Sequence, residues 1–157
     1  NITLDPDTAQ PRLIISEDRR SVMQGNTKQN RFKSPEQFDP WTWVLGCEGF
    51  DSGRQCWEVE VVYGACWAMG VALESVTRQG LVDMSPEGGI WAVGRYREKF
   101  LALTSPSPTP VLHSTVPRRV RICLDCAGRQ VMFVDADSEV AIFTFPQAMF
   151  GRERIHP

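Results

Sequence analysis

Only two histidines, His113 and His156, occur in the chain, and neither sits beside residues spaced as metal ligands or as a nucleophile's partners. Five cysteines, Cys47, Cys56, Cys66, Cys123 and Cys126, are an odd number without framework spacing. That pattern argues against a disulfide-rich secreted fold and fits a reducing compartment better. Cys123 and Cys126 form a C-x-x-C, but a zinc site needs four ligands and the other cysteines are isolated in sequence. On an extended strand, residues three apart point to opposite faces, so these two thiols should not converge. The stretch Gly49-Phe50-Asp51-Ser52-Gly53 has its serine misplaced for a nucleophile elbow, and no helix follows it. There is no phosphate-binding glycine loop and no H-E-x-x-H. Glu58 and Glu60 lie on one strand face, where a solvated strand edge explains them more simply than acid–base catalysis. No constellation for catalysis assembles, and no cofactor or metal is expected.

Binding chemistry is better represented. Arg95-Tyr96-Arg97-Glu98-Lys99-Phe100 interleaves basic and aromatic residues, as surfaces for single-stranded nucleic acid do. Glu98 interrupts it, and the chain carries a net charge of −2, so a solvated hairpin tip accounts for the segment better. The same charge gives no electrostatic reason to expect nucleic acid or an anionic membrane as the main partner. No apolar run approaches the length of a membrane-spanning helix, and no signal-peptide pattern opens the chain.

The elements that must position these residues read as strands almost throughout. At 157 residues the chain fits one domain with a core of its own. Trp57, Val59 and Val61 alternate with Glu58 and Glu60, the mark of a strand with one buried and one wet face. Trp67, Met69 and Val71 alternate with small residues. Segments 90–93, 100–103, 120–124, 131–134 and 141–145 continue the series. Turn signals at 51–53, 86–89, 127–129 and 135–138 separate them. Short strands with frequent turns predict a sandwich or barrel. Ser34 to Phe38 is expected to form one helical turn, with Ser34 as its cap and Pro35 at the first position. Gln147 to Phe150 is a second candidate turn, and 104–110 is a proline-rich loop.

Several stretches taken in order resemble the PRY-SPRY (B30.2) domain of tripartite-motif ubiquitin ligases and butyrophilins. They are Thr3 to Ala9, Ile15 to Val22, Val44 to Phe50, Ser52 to Arg54 running into Trp57 to Val61, Trp67 to Ala72, Pro86 to Trp91, and Leu124-Asp125 with Gly128. The match runs over nearly the whole chain, with the PRY part about 1–48 and the SPRY part about 49–157. The resemblance implies an all-β fold, a bent sandwich of two antiparallel sheets with little helix. It also implies a final strand beyond Pro157 that this sequence does not include, and whose absence would expose a sheet edge.

The implied function is recognition of a protein or peptide by loops at one end of the sandwich, with no catalysis in this chain. The first expectation is the substrate-recognition domain of a tripartite-motif ligase in innate immunity, in the cytoplasm, with the ubiquitin chemistry in a separate RING domain. The alternative is the intracellular domain of a butyrophilin-like receptor, and a secreted toxin-like relative is a third reading. Carried over from the family, the surface should comprise the loop 39–42, position Ala68, segment 81–84 and the loop 94–99. Trp41, Ala68, Asp83, Arg95, Tyr96, Arg97 and Lys99 are its candidate contacts, while Trp43 should plug the core. In the immunoglobulin-binding member an acidic residue follows the tryptophan of W-x-x-G-V, and tryptophans line a later loop. Ala68, Gly94 and Tyr96 stand there instead, which argues against antibody Fc as ligand. Trp41, Ala68 and Asp83 occupy positions where phosphoantigen-sensing butyrophilins build a basic pocket, and an aspartate would repel phosphate.

Overall fold

The computed structural model describes residues 1–29, 31 and 33–157. Its strands, in chain order, are β1 (Leu13–Ile15), β2 (Val22–Gln24), β3 (Arg54–Glu60), β4 (Cys66–Leu73), β5 (Ile90–Tyr96) and β6 (Lys99–Ala102). They continue with β7 (Thr109–Pro110), β8 (Arg119–Asp125), β9 (Gln130–Asp135), β10 (Ala141–Phe145) and β11 (Ile155–His156). Two antiparallel sheets dominate: a four-stranded one in the order β10-β9-β8-β3 and a five-stranded one in the order β11-β4-β5-β6-β7. β1 and β2 form a small hairpin of their own. Among the described residues helix is limited to two single 3₁₀ turns, Pro6–Thr8 and Pro86–Gly88.

Alternation along the strands decides how these sheets meet. Val120, Ile122 and Leu124 of β8 and Val131 and Phe133 of β9 turn inward from one sheet. Val71 of β4, Trp91 and Val93 of β5, and Phe100 and Ala102 of β6 turn inward from the other, making one continuous core. This is a sandwich closed by period-two patterning. Trp91 is only 2% exposed and meets Phe150 edge to face, with ring centroids 4.9 Å apart.

A second, smaller core lies on the outer side of the five-stranded sheet. Phe38, Leu45 and Trp43 from the N-terminal segment cover Ala72 of β4, Ile90 and Ala92 of β5 and Leu103 beyond β6. Backbone bonds fasten that segment down: Asp5 N–H donates to the Leu45 carbonyl, and Gly46 N–H to that of Pro157, each at 2.8 Å. His156 is a clamp here. Its ring nitrogens lie 3.0 Å from the Gly46 carbonyl and 3.0 Å from Glu74 Oε1.

Local readings from the sequence fare differently. Ser34 does cap a turn, its Oγ accepting from Glu36 N–H at 3.1 Å, but no helix follows from it. The second expected turn is replaced by an irregular segment in which Ala148 and Phe150 are buried. Gln147 there has φ +53°, which no right-handed helical turn accepts.

Candidate functional site

Successive side chains of a strand face opposite ways, so the register of the five-stranded sheet sorts the candidate residues by face. Ala68 is paired with Gly94, Cys66 with Tyr96, Tyr96 with Lys99, and Gly94 with Leu101. All of these share the outer face with Ala72, Ala92 and Ile90. The N-terminal segment covers only that last group. Gly94 is still buried, and the face opens beyond it: Ala68 and Lys99 are exposed, and Tyr96 is 57% exposed. Small residues make its floor flat. A Cβ on Gly94 would stand 3.0 Å from the Trp67 carbonyl and 3.3 Å from the Ala68 Cβ.

Two loops border this floor from the covered side. Trp43 packs on the second core as expected, and Trp41 lies flat upon it, the rings 5.6 Å apart and 9° from parallel. The loop holding Trp41 is pinned at its start, where Asp39 N–H donates to the Arg78 carbonyl and Gly80 N–H to that of Asp39. Trp41 Nε1 is buried with no hydrogen-bond partner among the described residues. In the segment 81–84, Val82 turns into the second core while Leu81 and Asp83 on either side of it are exposed.

Arg95 and Arg97 do not behave alike. The expected loop 94–99 is mostly strand: β5 runs through Tyr96 and β6 starts at Lys99, leaving Arg97 and Glu98 as a two-residue connection. Arg95 therefore pairs with Trp67 and Phe100 on the opposite, inner face, away from Ala68 and Tyr96. Its Nε donates to the Arg97 carbonyl at 2.6 Å. Arg97 stays at the tip, its guanidinium 5.5 Å from the centre of the Tyr96 ring. Leu101 and Cys66 join the outer face without having been singled out in the sequence. Strand alternation from Ala68 and Lys99, each two residues away, is the signal that could have found them.

Charges elsewhere are largely spoken for. On the four-stranded sheet Arg121 bonds both Glu58 at 3.1 Å and Glu139 at 2.7 Å, and Arg119 bonds Asp137 at 3.0 Å. Glu58 is thus an ion-pair partner. By contrast, among the described residues Arg97, Lys99 and Asp83 make no ion pair within the chain.

The cysteines require a correction. Cys56 and Cys123 face each other across β3 and β8 and form a disulfide. The partners lie 67 residues apart, so sequence spacing could not reveal them. Cys126 takes no part, so the C-x-x-C does not close on itself. Burial pushes the Cys126 thiol up, and the charges of Asp51 and Asp125 add to that, which makes it a poor nucleophile. No group of three or more His, Cys, Asp or Glu residues able to hold a metal ion occurs among the described residues. No helix among them is long and apolar enough to cross a membrane.

Comparison with known proteins accounts for this arrangement. The family model PRY, the SPRY-associated domain, matches residues 2–50, and the SPRY domain model matches residues 54–157. Bos taurus butyrophilin subfamily 1 member A1 is 43% identical over 151 residues, which are 96% of this chain and 28% of that protein. The Homo sapiens E3 ubiquitin-protein ligase TRIM38 is 43% identical over 152 residues, 96% of this chain and 32% of that protein. The chain thus spans about a third or less of the length of these relatives. The TRIM65 PSpry domain shares its fold, with a TM-score of 0.84 at 20% identity over 99% of this chain and 82% of that one. The stonustoxin structure also reaches 0.84, at 21% identity, over 100% of this chain and 26% of that one. Sheets, second core and family models agree, and the chain belongs to the PRY-SPRY (B30.2) family.

Proposed function

We propose that this chain is a protein- or peptide-recognition module whose partner seats on the bare half of the five-stranded sheet's outer face. The observation that carries it is the contrast within that one face. Half is sealed by Phe38, Leu45 and Trp43, while beyond buried Gly94 the face opens at small, exposed Ala68 beside exposed Tyr96 and Lys99. Tyrosine, tryptophan and arginine are the side chains that most often anchor an interface, and Tyr96, Trp41 and Arg97 supply all three. A rigid sheet holds them at little entropic expense. Unpaired Arg97, Lys99 and Asp83 supply both signs of charge for selecting a partner.

In this reading the module selects substrates for a tripartite-motif E3 ligase acting in innate immunity. Its support is the likeness to TRIM38 over 96% of the chain. The equal identity to butyrophilin subfamily 1 member A1 favours a second reading, the intracellular domain of a receptor of that kind. Both readings share one surface. The test is parallel capture from cell lysate by the wild type, Ala68→Arg and the Tyr96→Ala/Arg97→Glu pair, each shown to be folded by circular dichroism. Proteins held by the wild type and lost from both variants support the surface. Identical captures from all three overturn it.

A further inference from the structure

The connection between β3 and β4 carries two strongly exposed apolar side chains, Val62 at 67% and Tyr63 at 74%. Together with Pro117 and Arg118 they wall a cavity of about 200 Å³ that Trp67 and Arg95 also line. This cavity belongs to the other side of the sheet, since Trp67 and Arg95 alternate with the outward-facing Ala68 and Tyr96. The two sites are therefore separate.

Its chemistry is one-sided. Arg95 spends only Nε, on the Arg97 carbonyl, and neither Arg95 nor Arg118 has a carboxylate partner among the described residues. Arg78, Arg119 and Arg121 all have one. Trp67 keeps its indole N–H buried without an acceptor. No acidic side chain lines the cavity, while Val61, Val62 and Val116 supply apolar wall. Donors without acceptors, framed by apolar surface, suit a planar carboxylate that a guanidinium can grip through two hydrogen bonds. The volume holds one side chain, below the roughly 300–1,000 Å³ that small-molecule sites occupy. Inorganic phosphate can meet the same guanidinium donors, and the experiment below separates it from a carboxylate.

The geometry points to a second binding site, in which Arg95 and Arg118 take the glutamate or aspartate side chain of a partner peptide whose flanking residues are apolar. Val62 and Tyr63 then cover those flanking residues. This inference stands apart from the outer-face reading and shares no residue with it.

The experiment titrates the ¹⁵N-labelled chain with the blocked peptide Ac-Val-Glu-Val-NH₂ and with Ac-Val-Gln-Val-NH₂, following the Trp67 indole and Arg95 side-chain signals. The glutamate peptide is expected to shift both signals. The glutamine peptide should bind about tenfold more weakly, as loss of one charge-assisted hydrogen bond implies. Arg95→Gln and Arg118→Gln should each weaken the glutamate peptide by a similar factor while leaving the strand signals in place. An absence of shift, an equal response to the two peptides, or tighter binding of inorganic phosphate than of the glutamate peptide overturns the proposal.

Discussion

Arg97 stands at φ +57°, in the left-handed region that favours glycine, at the first of the two residues joining β5 to β6. A non-glycine residue there stores roughly 1 kcal/mol of backbone strain. Arg97→Gly releases that strain but adds roughly 0.4–1 kcal/mol of unfolded-chain entropy, so urea titrations should show stability within about 0.5 kcal/mol of wild type while partner capture weakens. Capture unchanged would mean that the arginine does nothing at the surface. Asp135 offers a prediction of another kind. Burial alone would raise its carboxyl, but hydrogen bonds from His113 and from the Asp137 and Ser138 backbone outweigh it and hold the group below its ordinary 3.8. A carboxylate lowered in the folded state stabilises fully above its unfolded value, and that contribution is lost as pH falls from there through the native value. Asp135→Asn should accordingly flatten the acid side of the stability curve below about pH 4, as read by thermal melts across pH. An unchanged acid limb would contradict this.

Strand alternation carried most of the fold in the sequence. Trp57 with Val59, and Val131 with Phe133, show period two plainly, and the structure places them on inner faces. The Cys56–Cys123 bridge was illegible because it depends on which residue stands opposite on the neighbouring strand. Arg95 was placed on a loop because the apolar run stops at Val93, whereas β5 continues through Tyr96 and alternation then turns Arg95 inward. Of the candidate surface, Ala68, Tyr96 and Lys99 share one face, Arg97 tops it, and Trp41 and Asp83 sit on loops fixed to its covered half. Those loops entered the candidate set through family resemblance, since nothing in local periodicity separates a loop tryptophan from a core one. The β4–β5 pairing beneath the floor tolerates no added bulk. A Cβ at Gly70 would collide with the Trp91 carbonyl and stand 2.6 Å from the Ala92 Cα. Gly70→Ala should therefore lower the melting temperature sharply, whereas the exposed Ala68→Arg should move stability by about 0.5 kcal/mol at most. Equal effects of the two would contradict the assigned register.

At the scale of the whole molecule, one core joins the sheets and a second joins the N-terminal segment to the outer face, so the segment that seals half the surface also frames the other half. Trp91 lies between the two sheets, and Trp91→Ala should cost about 3–5 kcal/mol, enough to unfold many domains of this size. The disulfide joins strands already paired in one sheet, so Cys56→Ser should leave the topology intact, with the same circular dichroism spectrum. The central claim is the location of the partner on the bare outer face. A photoreactive benzoylphenylalanine placed at Tyr96, and separately at Thr144 on the exposed side of the four-stranded sheet, tests that location in one measurement. Cross-linking of the captured partner from position 96 and not from 144 is the expected result. Cross-linking from 144 alone would contradict it.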